Sequence, residues 1–442
     1  MSRPFWDWSR LGRGSPQVPG CASPMDLIAR ISILVLLLVT PWPLGSRLPW
    51  AATASTGLIL FVFGIWLAKH VWQGKRTVWG RSLVPVAAFL GLGIVQATTG
   101  HSVYPFGTWL EVGELAGYAA VMALSATLLA QPAWQRRVLG VLCLSVSVVA
   151  AFSLIQYFTW NGMLFWSYES PFGGTSPFGP FNNRNYFAGY TAAASGPCVA
   201  VALSSATLRW RVACGAGAGV GIGAVAVSMS RAGILAMAVC VVVAAGLSTQ
   251  RSTMRRSSRR TSTRTAVVVL VILGVAATAV LAAGVGPPLL DRFQALATPD
   301  FDRSAIGRLA IWSDTLEMIK ARPLVGFGLD TFVWAHLRFR TNGDGFPQHA
   351  HSEYLETLAE AGAIGGALAV WFLIAVSIQG FQAVRTPSRS LRVALVRGAL
   401  ASWAAILVLS LIDFPTVIPA TNYVLAVLAG TILGSGSDSV HE

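Results

Sequence analysis

The sequence predicts an all-α membrane protein: a polytopic chain with about twelve transmembrane helices and one large extramembrane loop that carries short helices. Three observations predict this. Hydrophobic residues occupy 54% of the 442 positions and charged residues 11%, against about 25% charged in an ordinary soluble domain. Apolar runs of roughly 20 residues, enough to cross about 30 Å of hydrocarbon, recur along the chain. Basic residues fall in alternate connections between those runs, as they do when membrane insertion sets orientation.

Taken in order, the expected spans are Leu27–Gly45, Ala51–Trp72, Ser82–Ala97, Val112–Ala130, Val138–Trp160, Asn185–Ala206, Val212–Met229, Ala232–Ser248, Thr265–Gly286, Ala361–Ala383, Gly398–Ile412 and Val417–Gly434. The division that follows is an N-terminal segment (1–26), nine spans (27–284), a large loop (285–360), three more spans (361–434) and a short tail (435–442). Residues 1–25 are polar and rich in Trp, Pro and Arg, with no secretory signal pattern.

Arginine marks one side of the membrane. Arg3, Arg10 and Arg13, then Lys75, Arg76 and Arg81, then Arg136 and Arg137, then Arg209 and Arg211 fall on alternate connections. The Ser/Thr/Arg-rich linker from Ser248 to Arg264 and the group Arg385, Arg389, Arg392 and Arg397 continue the series. The positive-inside rule makes these cytoplasmic, with both termini on that side and the large loop in the periplasm of a bacterial inner membrane. The 37 residues from Val212 to Ser248 have cytoplasmic arginines at both ends. One helix of that length would extend about 55 Å and separate its ends, so two passes are required, with a turn near Ser228–Gly233. Arg47, Arg184 and Arg231 are basic residues on the opposite, outer side.

The formal charge of +14 therefore reflects membrane topology and not nucleic-acid binding. Cys143, Cys198, Cys214 and Cys240 lie in apolar segments, where a thiol behaves as a small hydrophobe, and neither a disulfide framework nor a metal cluster is expected. Lys69 and His70 read as interfacial anchors.

The loop holds the polar motifs. Ile311, Leu316 and Ile319 recur at helical spacing between Ser304 and Lys320, with Arg308 in the first turns of that helix. Gly326 and Gly328 after Pro323 suit a tight turn, and a short helix is expected from Asp330 through Arg340. Asp300-Phe301-Asp302 reads as a turn. His349 and His351 precede a helix that runs from about Ser352 into the tenth span; an imidazole there can act as a general base or serve as a cap. A His-x-His pair can also hold zinc, but no third and fourth ligand follow, and no metal is expected. Arg231, in a tight turn between two spans, and Arg184, at the mouth of the sixth, are candidates for holding a phosphate; either could instead reach lipid headgroups.

These pieces, in this order, resemble the bacterial O-antigen ligase and polymerase superfamily. The matching elements are Asn182–Asn185, Ser230-Arg231-Ala232-Gly233, Arg308 with Trp312, Pro323-Leu324-Val325-Gly326-Phe327-Gly328, and His349-Ala350-His351-Ser352-Glu353-Tyr354-Leu355 followed by Glu360, Gly362 and Gly366. Ser352 stands where the family's motifs often carry asparagine. The resemblance implies a GT-C-like, metal-independent glycosyltransferase without a cofactor. Such an enzyme moves a glycan from an undecaprenyl-diphosphate carrier to an acceptor hydroxyl, on lipid A core for a ligase or on a second lipid-linked repeat for a polymerase. His351 would take the acceptor proton and Arg308 would act in catalysis on the leaving diphosphate, with Arg231, Arg184 and His349 as diphosphate ligands. A transporter of lipid-linked sugars is the competing class. It would need ionisable groups at mid-membrane, whereas Glu111, Glu114 and Asp413 sit near span ends.

Overall fold

The computed structural model describes residues 23–74, 81–170, 177–204, 206–249, 303–341, 347–385 and 390–435, with isolated positions at 272, 276, 280 and 284. Most of the ninth expected span, most of the Ser248–Arg264 linker and Asp300–Asp302 lie outside these. Among the described residues the regular structure is helical. The helices are α1 (Pro24–Val39), α2 (Pro49–Trp72), α3 (Val84–Thr98), α4 (Pro105–Leu128), α5 (Pro132–Phe158), α6 (Arg184–Ala202), α7 (Leu208–Val227) and α8 (Arg231–Thr249). They continue with α9 (Arg303–Ala321), α10 (Phe332–His336), α11 (Glu353–Arg385), α12 (Leu391–Leu409) and α13 (Pro419–Leu433).

Local chemistry fixes many of the helix starts. Proline occupies the first turn of α1, α2, α3, α4, α5 and α13, where its missing N–H removes a donor that would have no helical partner. Ser23 and Asp26 form a reciprocal capping box on α1.

Six helices, α2, α5, α7, α8, α11 and α12, are long and apolar enough to cross a membrane; α3 and α13 are apolar but shorter. Among the described residues, which omit most of the ninth expected span, this falls short of the twelve expected. The difference at α6 has a physical cause: every residue from Tyr186 to Ala202 is buried by protein, so this helix need not be apolar on a lipid face. It packs against α7, α8 and α12. At its contact with α12 a Cβ on Gly196 would fall 2.4 Å from the Gly398 carbonyl oxygen, and one on Gly398 would fall 2.4 Å from Pro197 Cα. Small residues thus bring the two backbones together, the usual means of packing helices where lipid removes the hydrophobic drive. On the outside, Val370, Trp371, Ile374, Ile378 and Phe381 form an exposed helical stripe along α11, suited to hydrocarbon contact.

The helix expected from Ser304 to Lys320 is α9, but its buried face differs from the one its apolar spacing indicates. Ile311 and Ile319 pack inward, while Leu316 is 48% exposed and Asp314, Thr315 and Met318 are buried. Asp314 is admitted because it accepts from Thr341 Oγ1 at 2.7 Å and faces His336 Nε2 at 3.5 Å. The helix expected from Asp330 to Arg340 shortens to α10, with turns from Leu337 to Phe339. His70 is buried, stacked on Trp66 with centroids 3.9 Å apart, and so is a packing residue where an interfacial anchor was expected.

Candidate active site

The α7–α8 turn is built by three residues. Met229 takes a left-handed conformation (φ 59°). Ser230 caps α8 by accepting from Gly233 N at 3.1 Å, and its hydroxyl donates to Asn185 Oδ1 at 2.7 Å. Gly233 is required by space: a Cβ there would lie 2.2 Å from Ala188 Cβ on α6. At the start of α6, Asn183 accepts from Asn185 N at 2.8 Å. Arg184 and Arg231 are therefore the first residues of two neighbouring helices joined by the Ser230–Asn185 hydrogen bond. Helix N-termini carry unpaired N–H groups and partial positive charge, so an arginine at each reinforces an anion-favouring end.

Asn185 leads onward to the α12–α13 connection, where it lies close enough to Asp413 to lower the pKa of that carboxyl. Asp413 is 3% exposed and also accepts from Phe414 N at 3.0 Å. Burial pushes its pKa up, opposed by that N–H, Arg308 and Asn185. The Phe414 ring then meets both histidines, stacked on His349 at 4.4 Å between centroids and edge-on to His351 at 4.9 Å.

The histidine loop is held from two sides. Glu356, one turn into α11, bonds His349 Nδ1 at 2.7 Å through one carboxylate oxygen and accepts from Ala350 N at 2.8 Å through the other. From α9, Trp312 Nε1 donates to the Ala350 carbonyl at 2.9 Å. Arg308 lies four residues earlier and hence on the same face of α9. Its charge reaches both His351 and Asp413. His351 itself has φ 53°, a strained backbone that persists only where surroundings impose it and that concentrates at functional sites. Its Nδ1 is buried without a hydrogen-bond partner.

Burial, then Arg308 and then His349 hold the His351 pKa down to about 4. His349 is likewise lowered to about 4, by burial first and Arg47 second, against the opposing charges of Asp330 and Asp413. Both imidazoles are neutral at neutral pH, so each ring carries one N–H and one lone pair. Glu356 occupies His349 Nδ1, which leaves only Nε2 for a phosphate.

Beyond His349 is a cavity of about 330 Å³ lined by Glu111, Glu114, Asp330, Glu353, Glu356 and Glu360, with Arg47 at its edge. Arg47 also donates to Gln348 Oε1 at 3.1 Å and lies over the Tyr186 ring at 5.3 Å. Next to this polar cavity is an apolar one of about 480 Å³ between α3, α4, α11, α12 and α13, and Glu111, Glu353, Thr416 and Asn422 are among the residues that line both.

The Pro323–Gly328 motif supports the site from behind. Ala363 N donates to Pro323 O at 2.8 Å, Phe327 N to Ala359 O at 3.0 Å and Gly328 N to Glu360 O at 3.0 Å. Gln96 of α3 bridges the Val325 and Glu360 carbonyls at 2.5 and 2.8 Å. Backbones this close leave no room for side chains: a Cβ on Gly326 would lie 2.3 Å from the Glu360 carbonyl, and one on Gly362 2.2 Å from Leu324 O. Gly362 (φ 65°) breaks α11 at that contact. Glu360 accepts from the N–H groups of Asp330, Thr331 and Phe332 at 2.7–3.0 Å and so caps α10 from a different helix.

The fold thus links the neighbourhoods of Arg184, Arg231, Arg308, His349 and His351 through Asn185, Asp413 and Phe414. Sequence reading did not assign Glu356, Asp413, Phe414 or Arg47 to the site. The isolated outer-side charge of Arg47 and the position of Glu356 one helical turn into α11 were the available signals.

The fold and this grouping define a class: a polytopic helical membrane protein with arginines, neutral histidines and buried carboxylates gathered at one end of the bundle. A family model described as O-antigen ligase matches residues 216–370. The match spans Arg231, Arg308, both histidines, Glu356 and Glu360, while Arg47, Arg184, Asn185 and Asp413 lie outside it. No curated protein matches the chain.

Proposed function

We propose that the protein is an O-antigen ligase-type glycosyltransferase that moves a glycan from an undecaprenyl-diphosphate carrier to a hydroxyl of lipid A core on the periplasmic face of the inner membrane. The single observation that carries this reading is the linkage of the Ser230–Asn185 pair, between two arginine-led helix starts, through Asp413 and Phe414 to His351 and Arg308. A diphosphate needs cationic forks and N–H donors; an acceptor hydroxyl needs a nearby neutral base.

In this mechanism Arg231, Arg184 and Arg308 bind the diphosphate oxygens and stabilise the charge that grows as the sugar–phosphate bond breaks. The acceptor oxygen forms the new bond at the anomeric carbon and passes its proton to His351. A pKa near 4 makes His351 a weak base in the free protein, but an anionic diphosphate beside Arg308 offsets the guanidinium charge and raises it. His349, fixed by Glu356, sits at the border of the acidic cavity, whose carboxylates suit the hydroxyls of a sugar. The apolar cavity adjoining it suits a prenyl chain. The placement of Glu111, Glu114 and Asp413 near span ends, with the candidate arginines and histidines on one side, favours transfer over transport.

The test incubates purified protein in nanodiscs with an undecaprenyl-diphosphate glycan and either lipid A core or a second lipid-linked repeat. One addition to lipid A core supports the ligase; a ladder of lengthening products would make the enzyme a polymerase; no transfer to either acceptor, with measured flipping of the lipid, would replace the enzyme reading with transport.

A further inference from the structure

At the end of the bundle away from this site, three cysteines from three helices converge. Cys143 of α5, Cys198 of α6 and Cys214 of α7 place their sulfur atoms within 4.8 Å of one another. All are free thiols; Cys198 and Cys214 are buried, and Cys143 is partly exposed. Gly217, where a Cβ would lie 3.2 Å from the Cys143 sulfur, leaves the room that lets α7 close on α5.

From this geometry we infer that Cys143, Cys198 and Cys214 form a trigonal thiolate site for a soft metal ion of the monovalent-copper class, distinct from the glycosyl-transfer site. A metal–sulfur bond of about 2.3 Å puts the sulfurs of a planar three-coordinate site about 4.0 Å apart. The observed set needs to contract by less than about 1 Å to reach that spacing. Ligand chemistry narrows the ion. Thiolates select soft ions over magnesium or calcium, and zinc ordinarily takes a fourth protein ligand in a structural site. Among the described residues the cluster has three candidate ligands and no fourth histidine, cysteine or carboxylate. On binding, each coordinating thiol gives up its proton to water, so occupancy rises with pH.

The position separates this site from the other. Cys198 lies fourteen residues beyond Arg184 on one helix, a rise of about 21 Å. An ion there would tie α5, α6 and α7 together away from the residues proposed to hold substrate.

The experiment uses the full chain, reduced and kept anaerobic in detergent, titrated with Cd²⁺ as a spectroscopic probe of three-thiolate binding. The expected result is an ultraviolet thiolate-to-metal band that saturates at one equivalent and disappears when monovalent copper is added in competition. Cys240→Ser and Cys21→Ser should leave the titration unchanged, while Cys143→Ser, Cys198→Ser and Cys214→Ser should each remove the one-equivalent endpoint. If a serine variant fails to fold, the wild-type titration still decides: proton release that tracks the band on addition of one equivalent supports the site. No band in the wild-type protein, or an unchanged band in folded Cys143→Ser, would overturn it.

Discussion

Trp312 donates its indole N–H to the Ala350 carbonyl at 2.9 Å, which joins α9 to the residue between the two histidines. Because Arg308 is one helical turn away on the same face, this bond sets the distance between a proposed cation and the proposed base. Trp312→Phe keeps the ring and removes the donor, at a cost of about 1 kcal/mol. Transfer should fall on the order of tenfold, since small misplacement of reacting groups is costly, while donor binding stays near the wild-type value. Equal transfer rates in the two proteins, measured under single turnover, would remove the positioning role.

Arg308 should also be visible in the pH dependence. His351 is held at about 4 by burial first and by Arg308 next. General-base catalysis needs the neutral ring, so activity falls as pH drops through the histidine's pKa. Arg308→Ala removes a neighbouring positive charge, raises that pKa and moves the acidic limb of kcat/KM to higher pH. Arg308→Lys keeps the charge and should hold the limb in place, but it should restore turnover only in part because lysine lacks the planar fork. An acidic limb that stays put in Arg308→Ala would dissociate the two residues.

Gly362 predicts a structural effect with a built-in control. An alanine there would need φ 65° and would place its Cβ 2.2 Å from the Leu324 carbonyl oxygen. Gly362→Ala should therefore lower the melting temperature in detergent, with a cost above about 1 kcal/mol. Gly307→Ala, with nothing within 4 Å of its Cβ, should melt like the wild type. Equal melting temperatures would contradict the close backbone contact.

Transfer should survive chelation by EDTA, because guanidinium groups are proposed to supply the positive charge that a divalent ion supplies elsewhere. Turnover lost on chelation and restored by magnesium or manganese would overturn that assignment. Neither hard ion suits the three-cysteine cluster, so its chemistry does not confuse the result.

How far the sequence could be read depended on whether a feature was local or assembled. The hairpin of α7 and α8 was legible because two arginine-flanked ends 37 residues apart admit only an even number of crossings, and the turn falls at Ser228–Ser230. The turns at Gly326 and Gly328 announce themselves as glycine, whereas the break at Gly362 falls within a helix expected to run from about Ser352 into the tenth span. The buried face of α9 was misread at Leu316 because Asp314 takes its place by hydrogen bonding to Thr341, a partner 27 residues away. Asp413 read as a span-end charge, and its neighbour Phe414 gave no sign of contact with both histidines. Cys143, Cys198 and Cys214 read as separate small hydrophobes; only the packing of three helices makes them a cluster. Such pairings depend on tertiary contact and leave no mark in local spacing.

The most direct test of the central claim is single-turnover transfer and donor binding measured on the same folded preparation of His351→Ala. With His351 as the base, the donor should bind as in the wild type while transfer slows by a factor on the order of 100 to 10,000. Near-normal transfer by folded His351→Ala would contradict the account.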